Sequence, residues 1–190
     1  MKQTLLLAIF ICLSFITVVG QQSAVRVESG TWINVAPVDA GFKVLMPAKP
    51  SEQTTAVTGH PELENHVMSL ETELAGYVVS YLQFPDEVTD ANAIREMLDR
   101  GREGGVAASG GTLKGEKEIK LNNYVGREWM LELPGGLSAT ARAYWVKRRL
   151  YQTVFVARSS VSDPPDITKL RQEVKARFLD SFLLNEDNSK

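Results

Sequence analysis

Residues 124–157 read YVGREWMLELPGGLSATARAYWVKRRLYQTVFVA, and this stretch decides the fold of the chain. Three runs in it are rich in the β-branched and aromatic residues that favour strands: Tyr124 to Leu133, Leu137 to Val146 and Leu150 to Ala157. Pro134-Gly135-Gly136 supplies the first turn, because glycine adopts the positive φ of a tight hairpin. No glycine or asparagine eases the second turn, at Lys147-Arg148-Arg149, so we predict a longer or bulged connection there. The stretch predicts an antiparallel meander.

Further strands are predicted on the N-terminal side of this meander. Between residues 42 and 46 apolar side chains alternate with Lys43 and Leu45, the period of two that is typical of a half-buried strand. A polar edge strand is predicted from Gln53 to Thr58, and a hairpin is predicted to turn at Ala75-Gly76. The full set of these strands is Thr31 to Val35, Gly41 to Met46, Gln53 to Thr58, Leu63 to Leu74, Tyr77 to Phe84 and Glu116 to Leu121.

Two helices are predicted between and after these strands. The first begins near Asp90 and ends at Gly104-Gly105, and either Thr89 or Asp90 can cap it, because their side-chain oxygens accept from the free amides of the first turn. The second begins at Asp163-Pro164-Pro165-Asp166, and its apolar residues recur at three- and four-residue steps as far as Phe182. Consecutive strands with segregated helices indicate an α+β fold, an α/β/α sandwich around a central antiparallel sheet.

The N-terminal segment has the pattern of a targeting signal. A lysine, an apolar run from Leu5 to Val19 and a small residue at Gly20 predict a signal peptide over residues 1–20. The alternative is an uncleaved anchor, but the run is shorter than the roughly 20 apolar residues that span a bilayer. We therefore expect no stable membrane span after cleavage. Residues 21–30 are predicted to be a leader, 31–184 a single domain and 185–190 a polar tail.

Composition narrows the class of function. Cys12 is the only cysteine and lies in the apolar run, so the mature chain has no internal disulfide and no thiol chemistry. The formal net charge of −2 gives none of the basic footprint of a nucleic-acid-binding domain. No residue pattern nominates a cofactor. We expect an exported bacterial protein, located in the periplasm or outside the cell.

Several segments, in this order, resemble the PsbP-like superfamily. The segments are Gly41–Pro47 with Pro50, Tyr77–Tyr81 with Phe84-Pro85, Glu118–Leu121, Tyr124–Glu128, Ala141–Tyr144, Arg149–Gln152 and Phe178–Phe182. That superfamily includes the extrinsic PsbP protein of photosystem II, a Ran-binding nuclear import factor and DcrB-type bacterial proteins. The resemblance implies a sandwich around an antiparallel sheet and a mainly non-enzymatic role in docking to other proteins. The signal peptide points to its exported bacterial branch.

One segment suggests a metal site. In a fully extended chain His60, Glu62, Glu64 and His66 would share one face, and two imidazoles with two carboxylates suit Zn²⁺ or Cu²⁺. The competing interpretation is that Gly59 and Pro61 form a turn, which removes His60 from that line and leaves His66 as an ordinary strand residue. The metal hypothesis requires the two histidines to lie close together in space.

Basic residues of the meander are the other candidates for a site. Arg127, Arg142, Lys147, Arg148 and Arg149 are predicted to contact a protein partner. The three consecutive cations could meet an anionic partner or a lipid surface, and the competing interpretation is that they form a solvated hairpin tip. For Arg142 the competing interpretation is a cross-strand ion pair with Glu128, since Arg127 and Glu128 face opposite ways in a strand.

Catalysis has little support in the sequence. The chain has two histidines and no Gly-x-Ser-x-Gly nucleophile elbow, so no nucleophile with an adjacent base is nominated. The sequence predicts a non-catalytic, exported binding or assembly module that acts on an unidentified envelope protein. A divalent-metal-binding protein and an enzyme of unknown class are the alternatives.

Overall fold

The computed structural model describes residues 30–57, 59–158 and 163–185. The predicted signal peptide, almost all of the leader and all but the first residue of the predicted tail lie outside these ranges, as does Thr58 at the end of the predicted edge strand. Within them, no helix has the length and apolar character needed to cross a membrane.

A seven-stranded antiparallel sheet forms the centre of the domain. Its strands are β3 (Ser51–Val57), β4 (His60–Glu71), β5 (Gly76–Gln83), β6 (Thr112–Leu121), β7 (Tyr124–Leu133), β8 (Leu137–Val146) and β9 (Arg149–Arg158). They are arranged in the order β3-β4-β5-β9-β8-β7-β6, and every neighbouring pair is antiparallel. The predicted meander is thus confirmed as β7-β8-β9. Strand β6 extends it to one edge, and β5, β4 and β3 extend it to the other.

Each face of this sheet is covered by different elements. Helix α1 (Ala91–Ser109) covers one face, where Leu98, Trp129, Trp145 and Leu150 are buried. Helix α2 (Pro165–Asp180) covers the other face together with a small sheet of β1 (Ile33–Val35), β2 (Phe42–Met46) and β10 (Leu183–Leu184). Phe42, Tyr77, Phe155 and Phe178 are buried there. The predicted α+β fold, with two helices on a central antiparallel sheet, is confirmed.

Helix α1 is longer than predicted. It continues through Gly104 and Gly105 to Ser109, and Gly110 ends it with a left-handed φ of 61°. The amides of Gly110 and Gly111 donate to carbonyls of the last turn, as in a Schellman-type end. Gly101 and Gly105 are buried four residues apart, on one face of the helix. Packing against the sheet therefore outweighs the low helix propensity of glycine.

Replacing Gly104 with alanine is expected to stabilise the domain. Gly104 lies inside α1 and is only partly buried, so alanine gains helix propensity worth about 0.5–1 kcal/mol. Urea unfolding of Gly104→Ala should show a higher midpoint with an unchanged slope. A lower midpoint would mean that a side chain at residue 104 collides with its surroundings.

Candidate functional site

The turn between β8 and β9 presents the three consecutive cations that the sequence nominated. Val146 pairs with Arg149, so Lys147 and Arg148 alone form the connection. The predicted longer or bulged connection was therefore wrong. Lys147 adopts a left-handed φ of 54°, a conformation that residues other than glycine adopt uncommonly. Strained backbone of this kind concentrates at functional sites, so the turn is a candidate for one.

A cleft of about 470 Å³ opens beside this turn. It lies where distant parts of the chain meet: the loop before β2, the end of β5, the β6–β7 turn, the β8–β9 turn and the end of β10. Its lining residues are Gly41, Gln83, Asn122, Tyr124, Val146, Lys147, Arg148, Arg149, Tyr151, Leu184 and Asn185. We call it the basic cleft, because its described lining contains three cationic side chains and no aspartate or glutamate.

Gly41 allows the cleft wall to approach closely. Its φ is 75°, and a Cβ atom at this position would lie 2.7 Å from Nη1 of Arg149 and 2.9 Å from the hydroxyl of Tyr151. Any larger residue would therefore displace the arginine. The Gly41 carbonyl also accepts a 3.0 Å hydrogen bond from the amide of Asn185, which holds the C-terminal segment beside the cleft.

Arg149 is positioned by neutral partners. Its Nε donates to the Gln83 side-chain oxygen, and its Nη1 lies 3.4 Å from the Tyr151 hydroxyl. That hydroxyl donates in turn to the carbonyl of Ala40 at 2.8 Å. The guanidinium carbon also lies 5.8 Å from the ring centre of Tyr81. Burial raises the pKa of Tyr81, a change that the charge of Arg149 only partly opposes, so its phenol stays neutral.

Arg148 ties the turn to the end of β5. Its Nη1 donates to the carbonyl of Pro85 at 3.1 Å, and its own carbonyl accepts from the amide of Phe84 at 2.8 Å. These bonds fix the backbone of the turn without neutralising the guanidinium.

Two of the cleft cations, Arg148 and Arg149, are not paired with acidic side chains of the described residues. Among the described residues, no carboxylate lies within ion-pair distance of Arg148 or Arg149. Arg102, Arg127, Arg142 and Arg171, in contrast, all pair with carboxylates. Concave surfaces lined by charge of one sign concentrate the field and attract the opposite charge. The basic cleft can therefore bind an anionic group.

Arg127 and Arg142 lie away from this cleft and are engaged within the fold. Arg127 reaches Asp99 of α1 at 3.3 Å, whereas Arg142 donates to Glu128 at 2.6 Å and to Asp180 of α2 at 2.8 Å. The expected opposite orientation of Arg127 and Glu128 and the cross-strand Glu128–Arg142 pair are both confirmed. Burial raises the pKa of Glu128, but hydrogen bonds from Lys117 and Arg142 outweigh it and hold that pKa below its usual value.

The four candidate metal ligands do not lie close together in the structure. The turn ends at Gly59, so His60 belongs to β4, and the expectation that a turn would remove it from the strand was wrong. A register shift places His60 opposite Val57 and His66 opposite Thr54. Val57 and Thr54 are three residues apart in β3 and so point to opposite faces, which separates the two imidazoles.

Each histidine instead has its own glutamate. His60 lies 3.2 Å from Glu62, and His66 lies 3.7 Å from Glu64. The His66 ring also stacks on Tyr81 at 4.5 Å. Nowhere in the part of the chain that the structure describes do three or more His, Cys, Asp or Glu side chains converge as metal ligands. The four candidate ligands do not form one site, and metal binding stays a prediction.

Much of the cleft was not predicted from the sequence. Gly41, Gln83, Tyr124 and Tyr151 come from four separate segments, and only the strand register brings them together. Asn122 did carry a signal, because asparagine tolerates the left-handed conformation that it adopts here, with φ of 54°.

Fold and cleft together define an α+β domain with an open, basic cleft. The solution structure of cyanobacterial PsbP (CyanoP) from Synechocystis sp. PCC 6803 aligns with 87% of this chain and 98% of its own, with a TM-score of 0.51 and 13% identity. A Pseudomonas aeruginosa protein of unknown function covers 77% of this chain and 92% of its own, at a TM-score of 0.40 and 13% identity. No family model and no curated protein matches the sequence. The chain has a PsbP-like fold.

Proposed function

We propose that this protein is an exported, non-catalytic module that binds an acidic segment of an envelope protein in its basic cleft. The observation that carries the proposal is the pair Arg148 and Arg149, which line one concave surface and have no carboxylate within ion-pair distance among the described residues. An acidic segment would supply the opposite charge.

The side chains of the cleft are suited to binding rather than to proton transfer. They are guanidinium, ammonium, phenol and amide groups, which donate hydrogen bonds to an anion. General acid–base catalysis near neutral pH is carried most often by histidine or a carboxylate. Among the described residues, neither type of group lines the cleft.

Exposed apolar residues beside the cleft favour a protein as the ligand. Val38, three residues before Gly41, is 87% exposed, and Leu183, next to Leu184, is 49% exposed. Apolar groups flanking a polar site are typical of protein–protein contacts, whereas a small anion gains nothing from them.

Export of the module rests on the sequence of residues 1–20. The proposal requires that the protein recovered from cells lacks the apolar run and begins near Gln21. N-terminal sequencing of the cell-envelope fraction decides this, and recovery of intact Met1–Val19 would contradict export with cleavage.

Removing charge from the turn is expected to weaken binding of acidic ligands. A fluorescent glutamate-rich decapeptide, followed by anisotropy at low salt, should bind the double variant Lys147→Gln/Arg148→Gln about tenfold more weakly than the parent, since each exposed pair contributes up to about 1 kcal/mol. Added salt should weaken the parent's binding too.

A matched variant separates this effect from net charge. Lys114→Gln/Lys169→Gln removes the same charge from two exposed sites outside the cleft, and should bind like the parent. Affinity capture from the native envelope should then yield a partner with the parent and this control, but not with the cleft variant. Equal capture by all three, or turnover of a small-molecule panel without a captured partner, would overturn the proposal.

A further inference from the structure

The four sheet edges of this domain differ in how they are protected. Edge strands are templates for the addition of another strand, and proteins protect them by shortness, bulges, charge or proline. β1 has 3 residues and β10 has 2. β6 has charged side chains at five positions, and its register shifts between Leu113 and Gly115. Three edges are therefore protected in recognised ways.

The fourth edge, β3, carries these devices only at its two ends, where Pro50 precedes it and its register shifts between Ala56 and Val57. Its 7 residues, SEQTTAV, contain one charge, Glu52, and no proline. It pairs with β4 in unbroken register from Ser51↔Ser69 to Ala56↔Glu64, so its outer side is regular over that length. Among the described strands only β4 adjoins it. Backbone amides and carbonyls that point away from β4 are consequently available to a further strand.

Acidic side chains surround this edge. Glu52 is exposed on β3, and Glu62 and Glu64 are exposed on the adjoining strand. Glu52 lies two positions from Thr54, and Glu64 lies opposite Ala56, so Glu52 and Glu64 project from the same face of the sheet. Lys49 precedes the strand, beyond Pro50, so carboxylates outnumber cations along the edge.

We infer that β3 accepts an extended, basic segment of another protein as an eighth antiparallel strand. Main-chain hydrogen bonds to β3 supply affinity, and lysine or arginine at alternate positions faces Glu52 and Glu64. This surface is separate from the basic cleft, and neither proposal depends on the other.

A second copy of the chain fits the same edge less well. If two β3 strands paired antiparallel about Thr54, Glu52 of one copy would lie opposite Ala56 of the other copy. Glu64 of that other copy pairs with its Ala56, so Glu52 and Glu64 would lie two strands apart on the same face. The result is like-charge repulsion on both sides of the axis. One strand pair also buries far less than the roughly 1,200–2,000 Å² of a stable protein interface.

The test uses a seven-residue peptide that alternates lysine and valine, with both ends blocked. Amide hydrogen exchange of the full-length protein should show alternate β3 amides becoming protected on addition of the peptide, while β6 amides are unchanged. The same peptide with alternate backbone nitrogens methylated keeps its charges but cannot pair along the strand, and should give no protection. A glutamate–valine peptide should also fail.

Variants of the protein complete the test. Glu52→Lys should weaken binding of the lysine–valine peptide about tenfold, because an attractive pair becomes a repulsive one. Glu87→Lys makes the same charge change in an exposed loop and should bind like the parent. Protection confined to other strands, equal binding by Glu52→Lys, or binding of the methylated peptide would overturn the inference. So would sedimentation showing a dimer that Glu52→Lys disrupts.

Discussion

Replacing Gly126 with alanine is expected to destabilise the domain by about 3 kcal/mol, the upper range for forcing atoms into a packed position. Gly126 pairs with Tyr144 across β7 and β8. A Cβ atom at residue 126 would lie 2.4 Å from the Tyr144 ring and 2.6 Å from the backbone oxygen of Ala143. The Tyr144 ring stacks on Phe182 at 5.9 Å, so it has little freedom to retreat. Relief therefore requires β7 and β8 to separate.

Gly76 provides a matched control for this prediction. It also lies in a strand, and a Cβ there would be in ordinary contact, with its nearest neighbour 3.9 Å away. Gly76→Ala should leave stability unchanged or raise it by about 0.5 kcal/mol, because alanine has less chain entropy to lose. Urea unfolding of both variants measures the difference. Equal stability of Gly126→Ala and the parent would show that β7 and β8 can part without cost.

The central sheet could be predicted from sequence because its pattern is local. From Tyr124 to Ala157 the side-chain types and their alternation indicate each strand, and Pro134-Gly135-Gly136 indicates a turn. The next turn was missed for a physical reason. A two-residue connection at Lys147-Arg148 requires positive φ at a lysine, and the pairing of β8 with β9 imposes this against local preference.

The basic cleft could be predicted only in part. Three consecutive cations are visible in the sequence, but whether Arg148 and Arg149 have a carboxylate partner depends on where every acidic side chain lies. Arg142 was nominated on the same grounds as Arg149, yet strand register places it beside Glu128. Charge in a sequence thus indicates candidates, and pairing across the sheet decides which of them remain able to bind a ligand.

Because Glu128 pairs with Arg142 across the sheet, it is the carboxylate whose loss should lower the stability of the domain most. It accepts from Arg142 at 2.6 Å and from Lys117 at 2.9 Å, and its side chain is only 11% exposed. Glu128→Gln should destabilise the domain by about 2 kcal/mol at pH 7, below the 3–5 kcal/mol for breaking a fully buried pair because Arg142 keeps Asp180. Glu132→Gln, in the same strand but 60% exposed, should cost less than about 0.5 kcal/mol.

The difference between parent and Glu128→Gln should also depend on pH in a defined direction. Because its ion-pair hydrogen bonds outweigh burial, the folded-state pKa of Glu128 lies below its ordinary value of 4.5. Its contribution to stability is therefore fully present above that value and is lost as pH falls through the folded-state pKa. Urea unfolding at pH 7 and at pH 3 should show the two proteins converging, since protonated glutamate and glutamine are alike in shape and charge. A gap that stays constant would mean that Glu128 acts through packing rather than through its charge.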